Sequence, residues 1–247
     1  MGIKTNITLY TEGTPNGLKP TILLAELGLE YKLVPINIFT QENKELWFVK
    51  INPNGRIPAL TDVNKNGKEV RTFESGTILE YLVTQYDKDH KVSYPHNSPE
   101  YWETVSWLTW QMAGVGPMQG QANHFARPVV YRILDTHLAA SPSGYITGDR
   151  VTIADIAIWP WVGAYTSLTR LVPPSPEYSG LSSIDEFPHV KKWLYTLLVR
   201  PGFEEGRNAP GPHRYLKMNE MSEEELNSIA ASLGTWVLDA MKRDTEA

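Results

Sequence analysis

Two side-chain hydrogen-bond donors lie close together in the segment Thr14-Pro15-Asn16-Gly17, between a predicted strand and a predicted helix. The Thr14 hydroxyl and the Asn16 amide can each donate to an anion. The start of a helix adds free N–H groups and the positive end of its dipole. The chain contains no cysteine. Any thiol that these donors act on must therefore belong to a ligand.

The energy needed to ionise a thiol is within reach of these residues. A free thiol with a pKa of about 8.5 is only about 3% thiolate at pH 7, and lowering that pKa to about 6.5 takes about 2.7 kcal/mol. A helix N-terminus supplies about 0.3–2 kcal/mol, and a hydrogen bond to a charged acceptor supplies about 1.5–3 kcal/mol. One helix end and the Asn16 amide are therefore sufficient. The same segment is also typical of a plain Asn-Gly turn, and the residues alone leave both interpretations open.

The sequence predicts an α/β domain over the first third of the chain. Strands and helices follow one another in the order β-α-β, β-β-α, and the short connections favour parallel pairing of the first two strands. The predicted strands are 6–11, 31–36, 57–62 and 69–73, and the predicted helices are 18–27 and 75–86. The polar stretch 87–97 is the predicted linker.

From residue 98 onward the sequence predicts helices only. Ser98-Pro99 is typical of a helix start, and Thr152-Ile153-Ala154-Asp155 has the spacing of a capping box. The predicted helices are 102–125 (interrupted by Gly114, Gly116 and Pro117), 129–139, 152–170 and 188–199, followed by a tail helix that begins at Met221-Ser222 and ends near Met241.

Composition and charge argue against several classes of function. The chain has 247 residues, of which 41% are hydrophobic, and its formal net charge of −5 argues against nucleic-acid binding. No run of about 18 apolar residues could span a membrane, and the N-terminus lacks the apolar core of a signal peptide, so we expect a cytoplasmic protein. The six histidines are scattered without the spacing of a metal site, so we expect no metal.

An ordered set of motifs resembles the glutathione transferase family. The set comprises the strand–turn–helix start, the loop Asn52-Pro53-Asn54-Gly55-Arg56-Ile57-Pro58, the step Phe73-Glu74-Ser75-Gly76 and the cap Thr152–Asp155. The turn at 14–17, together with Gly116-Pro117-Met118 and Asn123-His124-Phe125, resembles the nu-class enzymes and the fungal enzymes related to the yeast nitrogen-regulator prion protein. The resemblance covers about residues 6–203.

The resemblance implies a fold and a division of the chain. It implies a thioredoxin-like, glutathione-binding domain over 1–87 and an all-helical domain over 98–203, with residues 204–247 as a C-terminal extension that contains one helix. It also implies a homodimer, for which the tryptophan-rich helix from Trp102 is a further indication, and a role in detoxification. Glutathione is then the co-substrate.

The resemblance also implies roles for individual residues. Asn16, with Thr14 as a helper, would hold the glutathione thiolate. Glu74 would take the ammonium group, and Ser75 at a helix start would bind the γ-glutamyl carboxylate, although a serine there could simply cap the helix. Ile57, before a cis proline, would pair with the cysteinyl peptide. Asn43 and Arg56 fall where relatives bind the glycine end, although Arg56 could equally be a solvated surface residue.

The pocket for a second substrate is less well determined by the sequence. We assign it to Tyr10, Met118, His124 and Phe125, with Trp110 and Met112 as further candidates, although aromatic residues at helical spacing are usually core. Tyr10 is also an alternative thiol activator, because other classes of the superfamily use a tyrosine. A small-molecule electrophile, peroxide or disulfide is the expected partner of the activated sulfur.

The sequence is compatible with three functions. The first is conjugation of glutathione to electrophiles, reduction of peroxides, or both. The second is reduction of disulfides by two bound glutathiones without a protein cysteine. The third is a regulatory binding protein on the same fold that carries out no reaction.

Overall fold

A computed structural model describes residues 2–64, 66–117, 128–163 and 184–212, together with 222, 224 and 225. Its four strands form one mixed sheet in the order β2-β1-β3-β4, in which β1 runs parallel to β2 and antiparallel to β3. Strand β4 pairs antiparallel with β3. The bounds are β1 Ile3–Thr11, β2 Leu29–Pro35, β3 Ala59–Val63 and β4 Glu69–Phe73.

The helices are numbered in chain order, and a π-helical turn, Gln111–Val115, continues directly from the fourth. Short 3-10 turns lie at Glu42–Lys44 and Ile184–Glu186. The α-helices are α1 Leu18–Glu26, α2 Leu46–Val49, α3 Ser75–Tyr86, α4 Pro99–Trp110, α5 Pro128–Ala140, α6 Ile153–Val162, α7 Pro188–Leu198 and α8 Pro201–Arg207.

Strand β1 is longer than its sequence pattern predicts. It begins at Ile3 rather than Asn6, because the Ile3 N–H bonds to the Gly28 carbonyl and the first residues pair with β2. Strand β3 begins two residues later than predicted, after Pro58, which has no N–H to donate to a ladder. The short helix α2 has no counterpart in the sequence prediction.

One buried apolar cluster joins the sheet to the helices that follow it. It extends from Ile7 and Leu9 on β1 through Ile22 on α1 and Leu79 on α3 to Ile156 on α6. A smaller cluster lies on the other face of the sheet and consists of Ile36, Phe48 and Ala59, with Tyr10 and Val34 packed against it. Side chains of β1 therefore alternate between the two clusters, as the period of a strand requires.

The stretch predicted as a linker is held by side-chain hydrogen bonds. The Asp87 carboxylate accepts from the backbone N–H groups of Lys91 at 2.7 Å and Val92 at 3.0 Å, and from the Ser93 hydroxyl at 2.7 Å. The Tyr94 hydroxyl donates to the Asp149 carboxylate at 2.7 Å. The Arg150 guanidinium also donates to the His90 carbonyl at 3.1 Å and the Ile153 N–H to the Val92 carbonyl at 3.2 Å, so this segment is attached to the helical part of the chain at several points.

The predicted capping box at the start of α6 is present. The Thr152 N–H donates to the Asp155 carboxylate at 2.9 Å, and the Thr152 hydroxyl oxygen accepts from the Ala154 N–H. Asp155 also accepts from the indole N–H of Trp193 on α7 at 2.9 Å. The box thus fixes both the start of α6 and its packing on α7.

Some predicted features lie partly or wholly outside the described residues. These are the helix prediction beyond Pro117, the extension of the 152–170 helix past Gly163, and most of the tail helix. At the start of that tail helix, the Ser222 N–H donates to the Glu225 carboxylate at 2.8 Å and the Ser222 hydroxyl oxygen accepts from the Glu225 N–H. In the part of the chain that the structure describes, no helix is long and apolar enough to cross a membrane.

Helix α8 packs on the helix that follows the Thr14–Gly17 turn. A Cβ atom added at Gly206 would lie 2.3 Å from the Ile22 Cα, and one at Gly202 would lie 2.7 Å from the Glu26 side chain. The Arg200 guanidinium donates twice to the Glu26 carboxylate, at 3.1 and 2.7 Å. Helix α8 spans the predicted boundary between the all-helical domain and the C-terminal extension, at 203/204. The division into domains therefore stays a prediction.

We expect Gly206→Ala to lower the free energy of unfolding by about 2 kcal/mol or more, because the added methyl meets backbone atoms of α1 that cannot move aside. Urea denaturation of both proteins measures the difference. The matched control is Gly211→Ala, whose Cβ would meet nothing within 4 Å, and whose effect should stay within about 0.5 kcal/mol. Equal effects of the two substitutions would contradict the close approach of α8 to α1.

Candidate functional site

A polar cleft lies where the Thr14–Gly17 turn, the 52–58 loop and the start of α3 meet. It brings together five of the residues predicted for the site, Asn16, Arg56, Ile57, Glu74 and Ser75, with Pro58 and two residues that the sequence analysis missed, Asn52 and Asn54. Thr14 belongs to the turn and Asn43 contacts the 52–58 loop from the 3-10 turn Glu42–Lys44, but neither lines the cleft.

The turn before α1 already has helical geometry. The Thr14 carbonyl accepts from the Leu18 N–H at 2.9 Å, and the Thr14 hydroxyl oxygen accepts from the Gly17 N–H at 3.1 Å. Gly17 has φ −67° and ψ −31°. Thr14 therefore acts as an N-cap, with Pro15 in the position after it that proline favours. Asn16 consequently lies in a first helical turn, where the N–H groups and the dipole favour an anion.

The amide orientation of Asn16 is fixed by two donors behind it. Its Oδ1 accepts from the Lys19 ammonium at 2.9 Å and from the Trp161 indole N–H at 3.0 Å. The indole N–H can only donate, so the atom that faces it must be the amide oxygen. The Nδ2 group is therefore turned away from them, and within the described residues no acceptor takes it. An Asn16 held in this way offers its N–H bonds to a ligand in the cleft.

Lys19 is fully buried, which its sequence context did not indicate. Its ammonium donates to Asn16 Oδ1, to Ser75 Oγ at 3.1 Å and to Gln111 Oε1 at 2.5 Å, and it lies 3.5 Å from the Met112 sulfur. It lies three positions after Asn16, on the same helical face. That spacing is the one sequence signal that could have connected it with the site.

Burial lowers the pKa of the Lys19 ammonium from its usual 10.5 to about 7, while the nearby charge of Glu74 opposes that fall. The folded-state pKa lies below the unfolded one, so between about pH 7 and 10.5 the unfolded chain binds the proton more often. The contribution of Lys19 to stability therefore rises with pH across that window. Near neutral pH the folded protein holds both charge states of this side chain.

Glu74 has a backbone conformation that side chains rarely adopt, with φ 67° and ψ 120°. Its carbonyl accepts from the Ile78 N–H at 3.0 Å, and its carboxylate lies 3.5 Å from the Asn54 amide nitrogen. Ser75 follows as the first residue of α3, and no side chain caps that helix. The Ser75 side chain therefore does not cap the helix. Its hydroxyl contacts Lys19 and Met112 instead.

The 52–58 loop is shaped by amide side chains. Asn52 is buried, and its Nδ2 donates to the Arg56 carbonyl at 2.5 Å while its Oδ1 accepts from the Asn54 N–H at 3.0 Å. The Ile57–Pro58 bond is cis. Among the described residues, neither the N–H nor the carbonyl of Ile57 has a hydrogen-bond partner within the protein. The backbone edge predicted to pair with a peptide is thus present.

Asn43 contacts this loop from behind rather than from the cleft. Its Nδ2 donates to the Gly55 carbonyl at 2.7 Å, and the neighbouring Lys44 ammonium lies 3.4 Å from the Asn54 carbonyl. Gly55 has φ 59°, which suits glycine. A role of Asn43 and Arg56 at the glycine end of a ligand stays a prediction. The contact that the structure shows for Asn43 is its hydrogen bond to the loop.

The residues predicted for a second-substrate pocket are only partly described. Tyr10 packs among the aromatic rings of α2, with centroids 6.2 Å from Trp47 and 6.3 Å from Phe48, and it does not line the cleft. Trp110 packs on Trp107, and Met112 lies behind Ser75. The remaining predicted members, Met118, His124 and Phe125, lie outside the described residues.

Comparison with known proteins identifies the family. The family model described as "Glutathione S-transferase, N-terminal domain" matches residues 5–84. The model described as "Glutathione S-transferase, C-terminal domain" matches residues 130–194. Over 223 aligned residues the chain is 35% identical to the glutathione S-transferase-like protein tpcF of Aspergillus fumigatus, covering 81% of this chain and 94% of that protein. This chain belongs to the glutathione transferase family. The predicted family and its fold are therefore confirmed.

Two further proteins resemble this chain. It is 34% identical over 214 residues to the disulfide-bond oxidoreductase YfcG of Escherichia coli, covering 79% of this chain and 91% of that protein. A glutathione transferase homolog from Lodderomyces elongisporus has 39% identity and a TM-score of 0.71, covering 83% of this chain and 98% of that one. Its crystal structure contains two glutathione molecules per subunit.

No group of three or more histidine, aspartate or glutamate side chains in the described part of the chain could hold a metal ion. The expectation of a homodimer stays a prediction.

The backbone at Glu74 should reverse the usual stability order of alanine and glycine. Because φ is positive there, we expect Glu74→Gly to be more stable than Glu74→Ala by about 1–2 kcal/mol. Chemical denaturation of the two variants measures this difference. At Glu103, an exposed position on α4, the same pair should show the ordinary order, with alanine favoured by about 1 kcal/mol. An alanine variant that matches or exceeds the glycine variant at position 74 would argue against the strained conformation.

Proposed function

We propose that this chain binds glutathione in the polar cleft and holds its sulfur as a thiolate through Asn16. One observation carries the proposal: Lys19 and Trp161 fix the Asn16 amide oxygen, so that the amide N–H groups are left to donate in the cleft. A donor that is oriented before the ligand arrives costs no reorganisation when the anion forms. The first helical turn adds its positive dipole end at the same place.

The charges around the cleft complement the charged groups of glutathione. Glu74 provides an anion for the α-ammonium group, and Ser75, at the start of α3 with Lys19 behind it, provides donors for the γ-glutamyl carboxylate. Arg56 provides a cation for the glycine carboxylate. The unpaired backbone of Ile57 suits the cysteinyl peptide, which would add to it as a strand does. The sulfur of the cysteinyl residue is then assigned to Asn16.

The reaction that follows is attack of the thiolate on an electrophile. The thiol gives its proton to solvent, and the thiolate forms a carbon–sulfur bond while the leaving group departs with the bonding electrons. With a hydroperoxide, the thiolate attacks one oxygen and releases an alkoxide that is protonated to an alcohol. A second glutathione then converts the sulfenic acid formed to glutathione disulfide and water. In both reactions the protein contributes thiolate stabilisation rather than a nucleophile of its own.

A second candidate function is reduction of small disulfides. It is favoured by the similarity to YfcG and by the two glutathione molecules in the Lodderomyces homolog. A first glutathione thiolate would attack the substrate disulfide, forming a mixed disulfide and releasing one substrate thiolate. A second glutathione thiolate would then attack the mixed disulfide, giving glutathione disulfide and the other substrate thiolate. The chain can take part without cysteine because both attacking sulfurs come from glutathione.

We expect Asn16→Ala to raise the thiol pKa of bound glutathione by about 1–2 units, because a hydrogen bond to a charged acceptor is worth about 1.5–3 kcal/mol and one unit is about 1.36 kcal/mol. Ultraviolet absorbance of the thiolate against pH measures this shift. With a wild-type thiol pKa of about 6.5, the thiolate fraction at pH 6.5 should fall about 5–50-fold while each thiolate becomes about 3–8-fold more nucleophilic. The rate should therefore fall about 2–6-fold at pH 6.5 and should not fall at pH 9. S-methylglutathione, which has no thiol proton, should bind with nearly unchanged affinity. Unchanged thiol pKa and rates would refute the assignment of Asn16.

The choice between conjugation and disulfide reduction is testable with three substrates. Rates with an aryl halide, an organic hydroperoxide and a small disulfide should all fall in Asn16→Ala, because each reaction consumes the same thiolate. The substrate with the highest kcat/KM then assigns the reaction class. Binding of glutathione by calorimetry with no turnover of any of the three would instead support a regulatory protein. Absence of glutathione binding would exclude all of these functions.

A further inference from the structure

The Lys19 ammonium connects three elements beneath the cleft. Its three oxygen acceptors are Asn16 in the turn before α1, Ser75 at the start of α3 and Gln111 in the π-helical turn. A charged ammonium has three hydrogens, which match these three oxygens, while the Met112 sulfur is a more distant fourth neighbour at 3.5 Å. Among the described residues, no carboxylate pairs with this buried lysine.

This arrangement determines what two of the acceptors can offer to a ligand. The Asn16 oxygen faces Lys19, so its N–H groups face away. The Ser75 oxygen also accepts from Lys19, so the serine hydrogen remains available for another acceptor, and within the described residues that alternative is the Met112 sulfur at 3.5 Å. One buried cation thus directs two donors outward, and both of their residues line the cleft.

We propose that Lys19 is a positioning residue that orients Asn16 and Ser75 and supplies one positive charge behind the two glutathione anions they bind, the thiolate and the γ-glutamyl carboxylate. This inference rests on the proposed function. Asn16 and Ser75 lie between Lys19 and the cleft, so Lys19 would not touch the reacting atoms. Its effect is therefore exerted through the orientation of the donors and through the local field.

The surroundings of Lys19 allow its charge to follow that of the ligand. Glu74 is the one charged side chain in the described part of the chain that shifts the Lys19 pKa, and Gln111, Met112 and Trp161 on the neighbouring elements are uncharged. With a pKa of about 7, the amine is partly neutral near pH 7.5. An arriving anion favours the charged form. Lys19 then takes up a fraction of a proton from solvent, which partly offsets the proton that leaves the thiol.

Proton uptake by the wild-type protein is the first test. S-methylglutathione carries the γ-glutamyl carboxylate but no thiol, so its binding at pH 7.5 should take up about half to three quarters of a proton. Calorimetry in buffers of different ionisation enthalpy measures this number. With glutathione itself, thiol ionisation should offset the uptake. Binding of S-methylglutathione without proton uptake would overturn the charge coupling.

Two substitutions separate charge from orientation. Lys19→Met removes both, and we expect it to raise the thiol pKa of bound glutathione by about 1–2 units and to abolish the proton uptake. Lys19→Gln keeps an N–H donor without charge, so it should also abolish the uptake but raise the thiol pKa less than Lys19→Met does. The matched control is Lys192→Met, at an exposed position on α7, which should behave as wild type in both measurements.

The outcomes distinguish this inference from the proposed function. If glutathione does not bind, both fail. If Asn16→Ala raises the thiol pKa but Lys19→Met leaves the thiol pKa and the proton uptake unchanged, the function stands and the role of Lys19 is refuted. A purely structural role would lower the melting temperature without moving the pH profile, and that result would also refute it. Should Lys19→Met not fold, Lys19→Gln and the wild-type proton uptake decide.

Discussion

The position of the Asn16 amide depends on two donors, one three positions along the chain and one 145 positions away. Lys19 lies on the same helix, but its own place is set by Ser75 and Gln111, and Trp161 reaches Asn16 from α6. A buried lysine is costly unless its hydrogens are satisfied, and here oxygens from three elements satisfy them. The helical half of the chain is therefore needed to hold a donor that sits in the α/β half. The geometry of the site therefore depends on contacts between these two parts of the fold.

Packing around α1 explains why this arrangement can be kept. Helix α8 contacts α1 through two glycines and the Arg200–Glu26 pair, while the buried cluster continues from α1 into α6. Movement of α1 relative to α6 would separate Asn16 from Trp161. The strained backbone of Glu74 fits the same picture, because such conformations persist only where the surrounding structure holds them.

The sequence predicts those parts of the fold and site that depend on local signals. The strand and helix order and the capping box at Thr152 were predictable because turn, cap and proline patterns act over a few residues. Five of the residues that line the cleft were expected from the resemblance to the family, whereas Asn52 and Asn54 were not. The burial of Lys19 was not, since its partners lie 56 and 92 positions away. The contact of Asn16 with Trp161 spans 145 positions. The local sequence pattern identified Asn16 as a donor but not Lys19 and Trp161, which orient its amide.

Thiolate stabilisation by itself does not select between conjugation and disulfide exchange. Lowering a thiol pKa from about 8.5 to about 6.5 raises the thiolate fraction at pH 7 about 25-fold. The nucleophilicity of each thiolate falls about 8-fold over the same range, since the Brønsted coefficient is about 0.4–0.5. The net gain is only about threefold, and it applies to attack on any electrophile. In the disulfide exchange described above, both glutathione sulfurs attack and only substrate thiolates leave, so the same small gain applies to each step. The choice of substrate must therefore be made by residues that contact the second molecule rather than by Asn16 and Lys19.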